Sequence, residues 1–370
     1  KIFAGGGADT ILFAERLTSL VKIDGGAGTD ELQFTDSGLA TSDLDGVTNV
    51  EIVTLGDAQT DIVTIENLVG FGQVLNINAG ALSGQNVLNF DGSAEGDGSF
   101  DISGSDQDDT ITGGFGSDVI SAGNGNDTIL GGDGDDYILG GLGADIINPG
   151  AGIDTVISGE GNDIIEFLGN LKGEDIVDGG SGEDELRFTD SGISSTDLDG
   201  VTNVEIVKLG DAATSVTTVD NLVGNGTTLT VDATALSGAN SLTWDGSAEA
   251  DGSFNITGSA QDDTITGGAG DDVLSGGAGA DTLTAGSGID TVSGGADADT
   301  IIFGTNLTSA DTIDGGAGTD ELQFTDSNSA TNDLNNVTNV ETVTLGDAAT
   351  SVTTVNNLVA NGATLTVDAT

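Results

Sequence analysis

Between residues 104 and 166 an aliphatic side chain returns at every ninth position: Ile111, Ile120, Ile129, Ile138, Ile147, Val156 and Ile165. Residues 258–302 repeat the pattern at Ile265, Leu274, Leu283, Val292 and Ile301. In each nonapeptide this is the eighth position, and a short strand of three residues with its middle side chain inward accounts for it. Stacked copies then build a narrow aliphatic core from residues suited to strands. The second position is Gly except at Ser105 and Ser259, which open the two runs, and glycine there predicts a turn with positive φ. The first position accepts Ala122, Pro149, Ser158 and Ala285, so it does not need a left-handed backbone. The sixth is always Asp.

A longer repeat contains the short one. The segment GGAGTDELQFTDS at residue 25 returns as GGSGEDELRFTDS at 179 and GGAGTDELQFTDS at 315, offsets of 154 and 136. These differ by 18, two nonapeptides. Growth by pairs implies that one coil of a solenoid holds two nonapeptides, one on each side, so that everything downstream keeps its face. Each run is followed by three inserted residues (167–169 and 303–305) and two further nonapeptides.

The intervening spacers contain short alternating apolar segments such as VTNVEIVTL, VLNINA and NVLNFDG, separated by Gly, Asn and Asp, which is a strand-and-turn pattern. A separate β-sandwich is one reading of them. Continuation of the solenoid through longer coils is preferred, because an interrupted roll needs two capped ends per module. The chain therefore divides into repeat blocks at 1–33, 104–187 and 258–323, with spacers at 34–103, 188–257 and 324–370. The last spacer stops short of its equivalents, and with no Met and no signal-peptide pattern the chain reads as part of a longer or processed polypeptide.

Charge narrows the chemistry. The chain has 62 Asp plus Glu against 6 Lys plus Arg, a formal net charge of −56. Such self-repulsion excludes nucleic acid and anionic membranes as partners and calls for a multivalent cation. No apolar run reaches the ~18 residues of a membrane span, so no membrane insertion is expected. With no Cys and no His, thiolate and imidazole chemistry is absent, and with it the usual zinc, copper and haem ligands. Oxygen is the donor in quantity. It suits hard cations, and calcium tolerates flexible carboxylate and carbonyl coordination better than magnesium.

The tandem nonapeptides, from GSDQDDTIT to SGEGNDIIE and from GSAQDDTIT to GGADADTII, resemble the GGxGxDxUx repeat of the RTX calcium-binding proteins. The resemblance implies an all-β fold, a right-handed parallel β-solenoid in which RTX β-roll blocks alternate with longer-coil spacers. It implies Ca²⁺ in the turns between a nonapeptide and the next but one, held by backbone carbonyls and by sixth-position carboxylates. Those are Asp109, Asp118, Asp127, Asp136, Asp145, Asp154 and Asp163, then Asp263, Asp272, Asp281, Asp290 and Asp299. Weaker copies supply Asp9, Asp30, Asp175, Asp184, Asp311 and Asp320. Pairing each unit of the two runs with the next but one predicts five sites and three. Two departures stand out: Asp297 replaces the fourth-position Gly, and Val21 occupies a sixth position, which argues against a site there.

The resemblance further implies export by a type I system and folding on calcium outside the cell. Spacers alternating with RTX blocks are similar to those of large bacterial surface-layer, matrix and adhesin proteins. The leading expectation is a non-enzymatic, extracellular rod that self-associates into a surface layer, fibre or matrix. The stalk of a giant adhesin and the C-terminal calcium module of a secreted hydrolase or toxin are alternatives. The pairs Asp30-Glu31, Asp184-Glu185 and Asp320-Glu321 recur identically in every module and read as turns rather than as glycosidase carboxylates. Trp244 stands where the first module has Phe90 and reads as core. Arg16, Lys22, Lys172 and Arg187 flank the insertions of the first two modules and read as local ion-pair partners.

Overall fold

The structure is a computed structural model that describes residues 1–14, 17–35, 39–66, 68–96, 98–188, 196–325, 333–346, 357–359 and 364–368. Among the described residues every regular element is a β-strand, and no helix long and apolar enough to cross a membrane occurs. The chain forms two compact units, residues 1–170 with 174–186, and 171–173 with 187–370.

In the first unit successive strands alternate between stacked parallel sheets. One sheet runs from Thr10–Phe13 through Val74–Asn78, Ser99–Ser103 and Tyr137–Leu142 to Ile176–Ser181. Its counterpart runs from Thr60–Val63 through Leu88–Asp91 and Thr128–Asp133 to Ile164–Glu166. Within the nonapeptide run, Ile120 faces Ile138 and Ile129 faces Ile147, each eighteen residues on. One coil is therefore two nonapeptides with one strand on each side, as growth by pairs requires.

The second unit repeats this arrangement. Leu274 faces Val292, and Ile265 faces Leu283, again at eighteen residues. In both units the spacer strands join the same parallel sheets. Phe100 lies beside Leu75 and Ile102 beside Ile120, while Phe254 lies beside Leu229 and Ile256 beside Leu274. Spacer coils are longer than a pair of nonapeptides, as the pairing of Val74 with Ser99 and of Ile62 with Phe90 shows. Parallel pairing in the roll's own sheets rules out the antiparallel sandwich for the described spacer strands.

All twelve eighth-position aliphatics are at most 1 % exposed. Burying each contributes about 1.5–3 kcal/mol. The strands, however, are longer than the expected three residues. Thr128–Asp133 and Tyr137–Leu142 each continue through the first three positions of the following nonapeptide, with alternate residues inward. The first position thus also faces the core, and Ala122, Ser158 and Ala285 are fully buried there. Lack of room, not backbone conformation, keeps this position small.

The first three-residue insertion lengthens one coil without breaking register, since Val156 still faces Val177 across it, whereas at the second the register shifts between Ile302 and Gly304. Phe167 and Phe303, the first inserted residues, are buried and fill the space so created. Trp244 is fully buried and meets Phe254 edge-on at 5.6 Å, as Phe90 meets Phe100 at 5.0 Å, so its core role holds.

Candidate metal centre

The turns that link the strands carry the sixth-position aspartates. Every one of these aspartates is at most 2 % exposed, except Asp9, which is half-buried. Burial of so many carboxylates needs partners, and the backbone supplies them in columns. The N–H of Asp109 donates to Oδ1 of Asp127 at 2.7 Å, that of Asp127 to Asp145 at 2.8 Å, and that of Asp145 to Asp163 at 2.8 Å. On the other side the chain of bonds runs from Asp118 to Asp136 to Asp154. It crosses the insertion intact, from Asp154 to Asp175 and from Asp163 to Asp184.

The second unit has the same columns, Asp263 to Asp281 to Asp299 to Asp320, and Asp272 to Asp290 to Asp311. Asp9 and Asp30 form a shorter one. The structure therefore brings together the pairs expected from the two-nonapeptide coil, in separate columns. Among the described residues no three acidic side chains converge on one point.

The second carboxylate oxygen is different. In Asp30, Asp118, Asp127, Asp136, Asp145, Asp281, Asp299 and Asp320, Oδ2 is buried and accepts no hydrogen bond. Leaving such an oxygen unmatched costs about 1–3 kcal/mol or more for a charged group. The cost appears as raised carboxyl pKa values, caused first by burial. Asp118 and Asp127 are pushed up to about 7, Asp136 to about 8 and Asp145 to about 6. Asp281 rises to about 7, and Asp290 and Asp299 to about 6. Like charges one coil away add to the effect, as Asp145 and Asp109 do at Asp127.

Glycine carbonyls complete the oxygen-rich turn. Gly132 has φ +121°, and a Cβ there would lie 2.0 Å from the carbonyl oxygen of Gly114, one coil earlier. At the fourth position Gly143 has φ +125° and its Cβ would lie 1.7 Å from the oxygen of Gly125. Glycine is thus required twice over, for the left-handed backbone and for the close approach of stacked carbonyls. The expectation for the second position holds at every glycine but Gly268, and the fourth position shares it at six glycines, among them Gly125, Gly134 and Gly143, but not at Gly116, Gly152 or Gly270. Asp297 is the exception, holding φ +76° with a side chain.

These donors fit a hard divalent cation: buried carboxylate oxygens without protons to accept, beside backbone carbonyls, with no nitrogen or sulfur ligand. The nonapeptide that places Val21 at the sixth position has no carboxylate there, and its first residue, Arg16, lies outside the described residues.

Several participants escaped the reading of the sequence. Glu51 and Glu341, each in a VTNVE or VTNVE-like spacer segment, extend the columns by accepting the N–H of Asp30 and Asp320 through Oε2. The repetition of VTNVE across the spacers was the available signal. Ser105 and Ser259, the two exceptions at the second position, bind the first aspartate of each run. Ser105 donates its N–H to Oδ2 of Asp109 at 2.6 Å and its hydroxyl to Oδ1 at 3.0 Å, and Ser259 treats Asp263 likewise. A second, exposed ladder joins the fifth positions, where Asp108 accepts the N–H of Asn126, and Asn126 that of Ala144. The Asp-Glu pairs diverge as a turn leading into a strand does. Asp30 accepts from the Asp9 backbone inside the roll, while Glu31 accepts from the Thr54 hydroxyl.

The model of the RTX calcium-binding nonapeptide repeat matches residues 101–167, 171–187, 255–305 and 308–323. These segments contain all twelve aspartates of the two long runs. No curated protein matches the chain.

Proposed function

Because the chain carries the RTX calcium-binding nonapeptide repeat through both long runs, we propose that it is an extracellular structural segment, non-catalytic, whose β-roll is assembled by calcium after secretion. The observation that carries this reading is the series of buried aspartate oxygens without partners, stacked one coil apart. A bound calcium supplies two positive charges and takes six to eight oxygen ligands. In the turns where Oδ2 is unmatched the sixth-position Asp would contribute it, and the glycines their carbonyls. Without the ion, a core one aliphatic residue deep per strand has to offset the burial of a carboxylate in nearly every turn. Cation binding therefore supplies folding free energy. A chain of this charge stays unfolded and soluble in a low-calcium cytosol and folds where calcium is abundant, which suits export as an unfolded polypeptide.

The finer role is a stiff repeat segment of a surface layer, fibre or extracellular matrix. The recurrence of the long module along the chain supports it, since a single calcium block is enough to accompany an enzyme or toxin. Eight calcium ions leave most of the −56 charge in place, so contacts between copies would also require calcium bridges. Sedimentation and electron microscopy of the chain with and without calcium test this role. Ordered assemblies that appear with calcium and dissolve in chelator are expected, and a chain that folds with calcium yet stays monomeric at every concentration overturns the layer or fibre assignment.

A further inference from the structure

The turn that precedes each roll departs from the nonapeptide in an instructive way. In the first complete spacer it spans residues 92–100. Its glycine carbonyls occupy the places of a repeat turn, because a Cβ on Gly114 would lie 2.7 Å from the Gly92 oxygen and one on Gly116 would lie 2.2 Å from the Gly98 oxygen. Its N–H at the aspartate position also behaves as in the repeat, donating to Oδ1 of Asp118 at 2.7 Å. That residue, however, is Phe100, which brings no carboxylate.

A carboxylate arrives from elsewhere in the same turn. Longer than a repeat turn, the segment carries Glu95, which is fully buried. Its Oε2 accepts the N–H of Val69 at 2.9 Å, while Oε1 is buried and accepts nothing. Oδ2 of Asp118 is likewise buried and without a hydrogen bond. The two residues flank one peptide, Asp118 through its side chain and Glu95 through its backbone. Oδ2 of Asp118 lies 2.3 Å from where a Cβ on Gly113 would stand, and the Glu95 carbonyl lies 3.5 Å from the corresponding point on Gly114.

The second spacer repeats the arrangement with the same DGSAE sequence. Glu249 is 1 % exposed, and its Cβ lies 3.2 Å from where one on Gly268 would stand, while Oδ2 of Asp272 lies 2.3 Å from the corresponding point on Gly267. Here Oε1 takes the Gly252 N–H at 3.1 Å and Oδ2 of Asp272 takes that of Gly268 at 2.8 Å.

We infer that each junction between a spacer and the roll that follows it is itself a divalent-cation site, held by Glu95 with Asp118 and by Glu249 with Asp272, together with the Gly92 and Gly246 carbonyls. The spacer thereby supplies the first cation layer of the roll. The inference rests on the calcium reading of the nonapeptides and adds to it a site that the repeat pattern does not contain. Chemically it is coherent. Two buried carboxylates one coil apart repel unless a cation lies between them, and at the first junction each keeps one buried oxygen that the fold leaves unmatched.

Calcium stoichiometry of the full chain tests this, with Glu95→Gln and Glu249→Gln separately and combined. Glutamine keeps the acceptor that ties Val69 or Val223, so the coil retains its strap, although at Glu249 the bond from the Gly252 N–H is given up. Each single substitution should remove one bound calcium and the pair two, with the calcium-saturated circular dichroism unchanged. An unchanged stoichiometry in a folded double variant overturns the inference and assigns the glutamates to strapping alone. Should the variants fail to fold, anomalous diffraction from the unaltered protein crystallised with calcium decides. A peak within ~2.6 Å of Glu95 and Asp118 oxygens supports the site, and peaks in the nonapeptide turns with none at the junction refute it. Absence of calcium from the nonapeptide turns as well would instead refute the underlying reading.

Discussion

The backbone N–H of Asp118 donates to Oδ1 of Asp136, eighteen residues later, at 2.8 Å, while Oδ2 of Asp136 is buried with no donor. One side chain thus performs two tasks. Half of its carboxylate closes the hydrogen bonding of the previous coil, and half faces a neighbourhood of oxygens. The arrangement explains why Asp is invariant at this position in both runs. Asn would serve the first task alone, and Glu would place its oxygens farther along the turn.

From this division follows the effect of removing calcium. At pH 8 the unfolded chain is fully ionised, whereas the metal-free fold has to bury these carboxylates uncompensated. In excess chelator at pH 8 the chain should lose most of its β-sheet circular dichroism and regain it in a cooperative transition on calcium addition. A full β signal in chelator at that pH would show that the core alone suffices.

The pH dependence in chelator runs opposite to ordinary acid denaturation. Asp118, Asp127, Asp136 and Asp281 keep their protons in the metal-free fold up to about pH 7 or 8, whereas the unfolded groups lose theirs near 3.8. Between those values the fold binds more protons than the unfolded chain, so its stability falls as pH rises. Acidifying the chelated chain from pH 8 to about 4.5 should therefore increase β content. With calcium present the sign reverses, because the ion must displace those protons. Affinity should fall as pH is lowered through the same window, and binding near pH 6 should release protons measurable as a buffer-dependent heat.

Substitution of Asp136 separates the two tasks of the carboxylate. Asp136→Ala leaves the buried Asp118 N–H without its acceptor and should destabilise the calcium-saturated fold by about 1–3 kcal/mol. Asp136→Asn retains an acceptor and removes the charge. It should make the metal-free fold more stable at pH 8 while lowering the number of bound calcium ions. Chemical denaturation with and without calcium, combined with calorimetric stoichiometry, checks both. Equal behaviour of the two variants in chelator would mean that the charge of Asp136 is of no consequence to the apo chain.

Much of this was legible in the chain. The difference of 18 between the long repeats fixes the coil, the eighth position marks the core, and the second-position glycines mark a left-handed turn, because each follows from a constraint repeated at every coil. What escaped is what happens only once per module. The spacer coils from Val74 to Ser99 and from Ile62 to Phe90 differ in length, so no period reveals them. Ser105 looks like a lapse from consensus, yet it satisfies Asp109, which opens its column. Glu51 and Glu341 lie outside any nonapeptide, and only the stacking of coils brings them against the aspartate columns. The inward role of the first position was hidden because Gly, Ala, Ser and Pro share smallness but no hydropathy.

Glycine at the turn can be tested in both directions. A side chain at Gly132 meets two obstacles, the left-handed φ of +121° and the Gly114 carbonyl 2.0 Å from its Cβ. Because that contact is with backbone, the adjacent coil must shift to relieve it, and Gly132→Ala should raise the calcium concentration needed for folding. Asp297 offers the reverse change. It holds φ +76° with a Cβ, a conformation that costs a non-glycine residue about 1 kcal/mol, and it is not one of the column aspartates. Asp297→Gly restores the consensus turn and removes one negative charge, so both effects should lower the midpoint of the calcium-induced transition. Circular dichroism titrations of the two variants beside the parent measure the shifts. A midpoint that rises in Asp297→Gly would mean that the Asp297 carboxylate itself contributes to cation binding, and that strain at this turn is the lesser effect.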